Sequence, residues 1–381
     1  MTDVFSEFAA RLHFAAARQA HDDEFNALAL ELFALQFRHN QPYRKFCEAR
    51  DASPKNVNHS SEIPAVPTSA FKELDISCLP PEKRTKVFHS SGTTEQKPSR
   101  HFHNADSVAV YEASLWPCFA AHLLDDFKFE ISDLKLLILT PPATQAPNSS
   151  LVHMFETIRR KLCADNSAFV GKISSDGSWT LDFQAAETRI RKFAGESLPV
   201  LILGTAFSFV HLLDFLAEEN LKFNLPAGSR AMETGGYKGR SRTLLKTELH
   251  GIISKQLGIP ATNIVCEYGM SELSSQAYDR VAGDVQTSRH SSLVTRHFSF
   301  PPWSRAQIIS PETGNEVADG ETGLIRVFDL ANVCSVMAIQ TEDLGIRRGD
   351  GFELIGRAEF AEERGCSLMS EENFNAKAQR R

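Results

Sequence analysis

Strand-like and helix-like runs alternate along the chain from residue 70 to about residue 285. Residues 135–140 form an apolar strand-like run ahead of a helical pattern over 151–162, and residues 200–203 precede a second helical pattern over 207–219. Strands that alternate with helices are joined by crossover connections, so they pair in parallel and carry helices on the faces of the sheet. The sequence therefore predicts an α/β fold.

The pattern changes after about residue 290, where the apolar runs become short. Runs over 306–309, 323–328, 333–339 and 351–355 are separated by turn signals such as Pro311-Glu312-Thr313-Gly314. Short strands with close turns favour antiparallel pairing, so we expect a smaller antiparallel, barrel-like subdomain here. The predicted organisation is a helical segment over 1–60, an α/β core over 61–290, a β-rich subdomain over 291–360 and a tail over 361–381.

Composition and charge limit the possible functions. The 381 residues are 42% hydrophobic and 23% charged, as is typical of soluble globular proteins. A net charge of −7 argues against general binding of nucleic acid, which requires a basic surface. The first residues show no secretory pattern, and the longest apolar stretch, over 200–216, is interrupted by polar residues. With seven scattered cysteines and no CxxC pair, these features predict a cytoplasmic protein without a membrane span.

A hydroxyl-rich loop follows the strand-like run over 85–89. Backbone N–H and side-chain O–H groups can converge on a phosphate in such a loop, and a glycine allows close approach. Lys97 and Arg100 follow and could neutralise phosphate charge. The alternative is an ordinary Ser/Thr-rich turn, and the loop lacks the Walker pattern. The five residues of the loop are Ser90, Ser91, Gly92, Thr93 and Thr94.

Two further groups of polar residues lie at the ends of apolar runs. Ser271 and Glu272 follow the run over 264–266, where a hydroxyl could contact phosphate and a carboxylate could bind Mg²⁺. The alternative for this pair is the capped N-terminus of a helix. Asp343 and Arg357 could hold a ribose through its hydroxyls, and the alternative for them is a surface turn with an ordinary salt bridge.

Taken together and in this order, these groups resemble the core motifs of adenylate-forming enzymes. The hydroxyl-rich loop resembles the phosphate loop of that superfamily, and Tyr268-Gly269-Met270-Ser271-Glu272 resembles its Tyr-Gly-x-Thr-Glu motif. Asp343 matches the ribose-binding acid and Arg357 the hinge-region arginine. Gly235 and Gly236 stand where the family brings a Gly-rich strand end against the adenine. The resemblance implies ATP and Mg²⁺ as cofactors, with Glu272 as the metal ligand.

Within that superfamily, the chain resembles the acyl-protein synthetases of the bacterial luminescence type over roughly residues 60–370. The resemblance implies that Cys366, in Arg364-Gly365-Cys366-Ser367-Leu368, accepts the acyl group, and the alternative is a solvent-exposed tail thiol with no role. Glu95 stands where the family phosphate loop usually has glycine. The sequence after Arg357 is too short for the mobile C-terminal lysine domain of most adenylate-forming enzymes, as is also typical of acyl-protein synthetases.

The predicted function is ATP-dependent activation of a carboxylic acid, expected to be fatty, as an acyl adenylate, with transfer to a protein thiol. The assigned catalytic residues are Ser271, Glu272 and Cys366. One alternative is a ligase that passes the acyl group to coenzyme A or a carrier protein, and another is a non-catalytic nucleotide-binding relative. The expected partners are the acid substrate and an acyl-accepting reductase or carrier protein.

Overall fold

A computed structural model describes most of the chain. The described residues are 3–14, 22–90, 97–125, 134–164, 168–236, 241–283 and 296–358. The helices in these ranges are α1 (Asp3–Ala10), α2 (Asp22–His39), α3 (Gln41–Glu48), α4 (Ala70–Glu73), α5 (Ala105–Leu123), α6 (Ser150–Lys161), α7 (Phe183–Ala194), α8 (Ala206–Glu218) and α9 (Lys246–Leu257).

The strands alternate with these helices through the middle of the chain and follow one another after it. They are β1 (Val66–Pro67), β2 (Lys86–His89), β3 (Arg100–His103), β4 (Lys135–Ile138), β5 (Gly171–Ile173), β6 (Trp179–Leu181), β7 (Val200–Thr205), β8 (Arg230–Thr234), β9 (Ile264–Tyr268), β10 (Ala277–Tyr278), β11 (Ser304–Ile309), β12 (Thr322–Asp329), β13 (Ala338–Arg348) and β14 (Gly351–Arg357).

The predicted α/β core is present as a five-stranded sheet of order β10-β9-β8-β7-β4, which we call the parallel sheet. Strands β4, β7, β8 and β9 pair in parallel, and only the edge strand β10 is antiparallel. Successive side chains of a strand point to opposite faces, so Leu201 and Leu203 join one buried apolar cluster while Val200 and Ile202 join another. Helices therefore cover both faces of this sheet.

The predicted β-rich region forms a second five-stranded sheet, which we call the antiparallel sheet. Its order is β1-β13-β12-β11, and β14 also pairs with β13. Neighbours are antiparallel except β1, which joins β13 in parallel. Among the described residues the sheet stays open, so it is not a closed barrel. The strand predicted over 333–339 begins only at Ala338, because the preceding backbone forms a buried irregular connection. The domain boundaries stay predictions.

The N-terminal helices and a small hairpin complete the part of the fold that carries the site. Gln36 on α2 donates to the carbonyl of Asn332 over 2.9 Å and accepts from the N–H of Met337 over 2.9 Å, so this helix is fastened to the antiparallel sheet. Strands β2 and β3 form a hairpin in which His89 pairs with Arg100. Across the described ranges no helix is long and apolar enough to cross a membrane.

Candidate active site

The carboxyl ends of β7, β8 and β9 meet at one edge of the parallel sheet, which is where open α/β sheets bind ligands. Thr234 is the last residue of β8 and pairs with Glu267, one residue before the end of β9. Gly235, which follows β8, has a φ of +69°, a conformation that glycine adopts readily. A Cβ at Gly235 or Gly236 would meet no atom of the described residues within 4 Å, so this backbone faces open space in the described part of the chain. A flat ligand can therefore approach it.

Tyr268 links this edge to the antiparallel sheet. Its hydroxyl donates a hydrogen bond to Oδ2 of Asp343 over 2.9 Å. Asp343 on β13 stands opposite Arg357 on β14 in the register of the sheet. Burial raises the pKa of Tyr268 well above its usual value, and the nearby charge of Asp343 raises it further, so the phenol stays protonated. The two motifs that lie 75 residues apart in sequence thus meet in space.

The side chain of Arg357 forms an ion pair with Glu342. Its guanidinium donates to Glu342 over 2.7 Å, and its side chain is 60% exposed. This contact matches the salt bridge that we considered as the alternative for this motif. Because the pair is at the surface, it contributes little to stability and leaves the arginine available to a ligand.

Ser271 and Glu272 lie in a turn after Gly269, not at the start of a helix, so the capped-helix alternative is wrong. Both side chains are buried, with 6% and 5% of their surface exposed. The Ser271 hydroxyl donates to Oε2 of Glu272 over 2.9 Å. A Cβ at Gly269 would lie 2.4 Å from Oε1 of Glu267, so a larger residue at the start of this turn would have to displace that carboxyl group. The hydroxyl and the carboxylate therefore sit side by side, immediately after Tyr268.

Burial raises the pKa of Glu272, whereas hydrogen bonds from Ser99 and Ser271 and the charge of Arg357 lower it by less. No ion pair to Glu272 forms among the described residues. A buried carboxylate that lacks a cation partner is the kind of group that a divalent cation stabilises. No cluster of three or more acidic, histidine or cysteine ligands occurs in the described ranges.

The hydroxyl-rich loop is described only at its first residue. Ser90 accepts a hydrogen bond on Oγ from the N–H of Ser99 over 2.9 Å, and the Ser99 hydroxyl lies 3.4 Å from that of Ser271. The hairpin β2–β3 therefore brings the start of the loop to the Ser271 turn. The predicted site residues Ser91, Gly92, Thr93, Thr94 and Cys366, together with Glu95, lie outside the described residues.

The sequence did not predict the residues whose hydrogen bonds hold the Ser271–Glu272 turn in place. Asp329, which is fully buried, accepts the N–H groups of Ser274 and Ser275 on Oδ2 over 2.8 and 2.9 Å. Asn332 donates to the carbonyl of Glu272 over 2.8 Å. The only signal in the sequence is the position of Asp329 at the end of an apolar strand, and that signal is weak. Asp329 is the last residue of β12, and Asn332 belongs to the connection between β12 and β13.

Two buried acids at the strand ends were also missed. Burial raises the pKa of Glu267 to about 7, although the hydroxyl of Thr234, which donates to it, acts in the opposite direction. Burial also disfavours ionised Glu233, but Lys246 and His250 outweigh it and lower the pKa of Glu233 to about 2. Nζ of Lys246 lies 3.0 Å from Oε1 of Glu233. At this edge of the sheet, Glu233 therefore stays ionised near pH 7, whereas the pKa of Glu267 lies close to that pH.

Comparison with known proteins agrees with this geometry. The sequence profile of the family described as "Acyl-protein synthetase, LuxE" matches residues 8–375. The long-chain-fatty-acid–luciferin-component ligase of Aliivibrio fischeri is 24% identical over 354 residues, which cover 90% of this chain and 86% of the relative. The ligase of the same name from Vibrio harveyi is 22% identical, covering 91% of this chain and 86% of the relative.

Solved structures show the same fold. An open conformation of 2-hydroxyisobutyryl-CoA ligase, solved with 2-HIB-AMP and CoA, superimposes with a TM-score of 0.62 at 12% identity, over 89% of this chain and 71% of that one. The post-adenylation state of that ligase with 2-HIB-AMP gives a TM-score of 0.61 at 12% identity, over 93% and 75% of the two chains. The predicted adenylate-forming fold is therefore confirmed. The extent of the profile match establishes that this chain belongs to the LuxE acyl-protein synthetase family and is an AMP-forming ligase.

Proposed function

We propose that this enzyme uses ATP and Mg²⁺ to convert a fatty acid into its acyl adenylate and then transfers the acyl group to a protein thiol. The observation that carries the proposal is the contact of Tyr268 with Asp343, which joins the carboxyl end of β9 in the parallel sheet to β13 in the antiparallel sheet. The Ser271–Glu272 turn follows Tyr268 directly. A nucleotide bound at this edge would meet polar groups from both sheets. The fatty nature of the acid rests on the names of the two bacterial relatives.

In this proposal, each part of the nucleotide meets a group suited to it. Asp343 accepts hydrogen bonds from the ribose hydroxyls, and the exposed guanidinium of Arg357 reaches ribose or phosphate. Gly235, Gly236 and Tyr268 border the adenine. The hydroxyl of Ser271 contacts the α-phosphate, and Ser90, with Ser91, Gly92, Thr93 and Thr94, holds the β- and γ-phosphates.

Glu272 is the proposed ligand of Mg²⁺. The buried carboxylate already accepts a hydrogen bond from Ser271, which orients it, and its pKa is raised by burial. A bound Mg²⁺ supplies the positive charge that favours the ionised form and offsets the charge of the phosphates. The residues present therefore fit the metal.

The chemical step is an attack by a carboxylate oxygen of the acid on the α-phosphorus of ATP. The bond from that phosphorus to the bridging oxygen breaks, and pyrophosphate leaves. Negative charge develops on the phosphoryl oxygens, so the role of the protein is positioning and electrostatic stabilisation. The buried hydroxyl of Ser271 and the cation Arg357 are the groups of this chain that can serve that role.

Cys366 is the proposed acceptor of the acyl group, and its thiolate would displace AMP from the adenylate. The buried thiols of the described residues are poorer candidates. Burial raises their pKa and so lowers the fraction of thiolate, which is the nucleophilic form. Burial raises the pKa of Cys47, Cys118 and Cys334 to about 12. Cys163 is exposed and provides a control thiol. From Cys366 the acyl group would pass to a reductase or a carrier protein.

Acid-dependent exchange of pyrophosphate into ATP tests the first step across a panel of fatty, aromatic and amino acids. We expect exchange with fatty acids, and its absence with every acid would refute the proposal.

Intact mass after incubation with a labelled acid tests the second step. Cys366→Ser should lose the covalent acyl load, whereas Cys163→Ser should keep it. An acyl load that persists in Cys366→Ser, or thioester formation on free coenzyme A alone, would contradict the assignment.

A further inference from the structure

Two side chains of the hairpin reach the turn that holds Ser271 and Glu272: Ser99, which directly precedes β3, and His101 on β3. Nδ1 of His101 lies 2.8 Å from the carbonyl oxygen of Ser271. The hydroxyl of Ser99 lies 3.4 Å from the hydroxyl of Ser271. Ser99 and His101 are both buried, each with 1% of its surface exposed. The contact thus joins the hairpin to the turn although His101 and Ser271 are 170 residues apart in sequence.

The contact of His101 has a fixed direction. A carbonyl oxygen can only accept a hydrogen bond, so Nδ1 must carry the proton and donate it. Burial lowers the pKa of His101 to about 4, so the ring is neutral near pH 7 and its other nitrogen carries no proton. The imidazole therefore has one tautomer and one orientation, which suits a group that fixes a backbone.

The turn needs side chains to hold it because it lies beyond the end of β9, where the ladder of the sheet no longer supports its backbone. Two consecutive carbonyls are each held by a different element. That of Ser271 accepts from His101 on the hairpin, and that of Glu272 accepts from Asn332 over 2.8 Å. An unpaired carbonyl at a buried position is unfavourable, so removing either donor allows the turn to shift.

The hairpin is in turn fixed to the start of the hydroxyl-rich loop. The N–H of Ser99 donates to Oγ of Ser90 over 2.9 Å, and the N–H of Ser90 donates to the carbonyl of Ser99 over 3.3 Å. A displacement of β3 would therefore move Ser90 and release Ser271 at the same time.

We propose that Ser99 and His101 are positioning residues that fix the Ser271–Glu272 turn in the geometry required to activate the acid. Neither residue is assigned a contact with substrate. The inference rests on the proposed function, in which Ser271 contacts phosphate and Glu272 binds Mg²⁺. A small misplacement of such groups, about 1 Å, is enough to lower a rate about 100-fold.

The test compares substitutions at two histidines of the same strand. His101→Leu removes the donor, and His101→Asn retains an N–H donor near the position of Nδ1. His103→Leu is the matched control, because His103 is 2% exposed and its ring lies 4.2 Å from that of His101. Nδ1 of His103 contacts Oγ of Ser107 over 3.1 Å instead of the turn. The two leucine variants therefore make a similar change to the packing of the hairpin.

Two measurements are made under conditions in which circular dichroism shows that the variants are folded. Amide hydrogen exchange of the peptide over 269–275 reports the turn directly, and pyrophosphate exchange reports activation of the acid. We expect His101→Leu to speed amide exchange in this peptide and to lower pyrophosphate exchange about 10- to 100-fold, with KM for the acid unchanged. His101→Asn should restore most of both, and His103→Leu should alter neither by more than about 3-fold.

Several results would overturn the inference. One is amide exchange in His101→Leu equal to that of the unmodified chain. Another is an equal loss of activity in both leucine variants. If His101→Leu does not fold, Ser99→Ala is tested in its place. Unchanged amide exchange and unchanged pyrophosphate exchange in Ser99→Ala would then overturn the inference. Failure of the proposed function gives a different pattern, since the unmodified chain would show no pyrophosphate exchange while the turn still loosens in His101→Leu.

Discussion

Replacing Tyr268 with phenylalanine removes one hydroxyl and leaves the ring. The hydroxyl donates to Oδ2 of Asp343 over 2.9 Å. The ring is 6% exposed and lies against Phe298 and Phe352, with centroids 6.0 and 5.2 Å away. Phenylalanine keeps these aromatic contacts, so the substitution isolates the hydrogen bond between the two sheets.

The expected loss follows from the charge and the exposure of the acceptor. A hydrogen bond to a charged group contributes about 1.5–3 kcal/mol to stability. Asp343 is only partly buried, so water can reach its carboxylate after the substitution, and the lower end of the range applies. We therefore expect the free energy of unfolding to fall by roughly 1.5 kcal/mol. If the same energy orients Asp343 towards the ribose, KM for ATP rises about tenfold.

Tyr278→Phe is the matched control. Tyr278 lies on the adjacent strand β10 and is 1% exposed, and its hydroxyl has no hydrogen-bond partner in the described part of the chain. Removing an unpaired buried hydroxyl should leave stability within about 0.5 kcal/mol or raise it. Urea denaturation and the ATP dependence of pyrophosphate exchange measure both effects. Equal destabilisation by the two substitutions, or an unchanged KM for ATP in Tyr268→Phe, would refute the reasoning.

Three further predictions concern the same site. Burial lowers the pKa of His101 from 6.5 to about 4, so between these pH values the unfolded chain binds more protons than the folded chain. The free energy of unfolding should therefore fall as the pH drops from 6.5 to about 4, and a Tm independent of pH in this range would contradict the prediction. Glu272→Gln should abolish Mg²⁺-dependent pyrophosphate exchange while retaining or raising Tm, because burial raises the pKa of Glu272 and the amide is neutral. Gly269→Ala should lower Tm, since its Cβ would lie 2.4 Å from Oε1 of Glu267 and would displace this buried carboxyl group from its contact with Thr234. Gly236→Ala, whose Cβ would meet no atom of the described residues within 4 Å, should preserve Tm and weaken ATP binding. Thermal melts and nucleotide titration distinguish the two glycine variants.

Much of the fold could be predicted because its signals are local. The apolar run over 200–203 predicts a buried strand, and β7 is buried along its whole length. The polar groups that follow such runs indicate a ligand site, since the carboxyl ends of parallel strands share one edge of the sheet. Ser271 and Glu272 were singled out in this way, whereas Tyr268, Gly235 and Gly236 were assigned through the family resemblance. The resemblance assigned both Tyr268 and Asp343 to a nucleotide site, but the hydrogen bond between them was not predicted, because sequence spacing does not show how two sheets meet.

The strand predicted over 333–339 shows where local signals fail. Its apolar residues are buried as expected, but β13 begins only at Ala338. Asn332 is held by donating to the carbonyls of both Glu272 and Val336 over 2.8 Å, which keeps the intervening backbone out of the sheet. An apolar run indicates that residues are buried, but it does not indicate whether their backbone groups pair with a neighbouring strand. The start of β13 therefore could not be predicted from the apolar pattern alone.

The polar contacts that build the site were beyond prediction for a related physical reason. The apolar cluster includes side chains of both sheets, such as Leu201 and Ile339, but apolar packing tolerates small sliding movements. Buried hydrogen bonds do not, because each requires its partner at a fixed distance and direction. Asp329 beneath the turn and Tyr268 opposite Asp343 therefore fix the relative position of the two sheets more narrowly than burial alone. These hydrogen bonds therefore define both the proposed nucleotide site and the relative position of the two sheets. Loss of these contacts should disrupt the site before the chain as a whole unfolds.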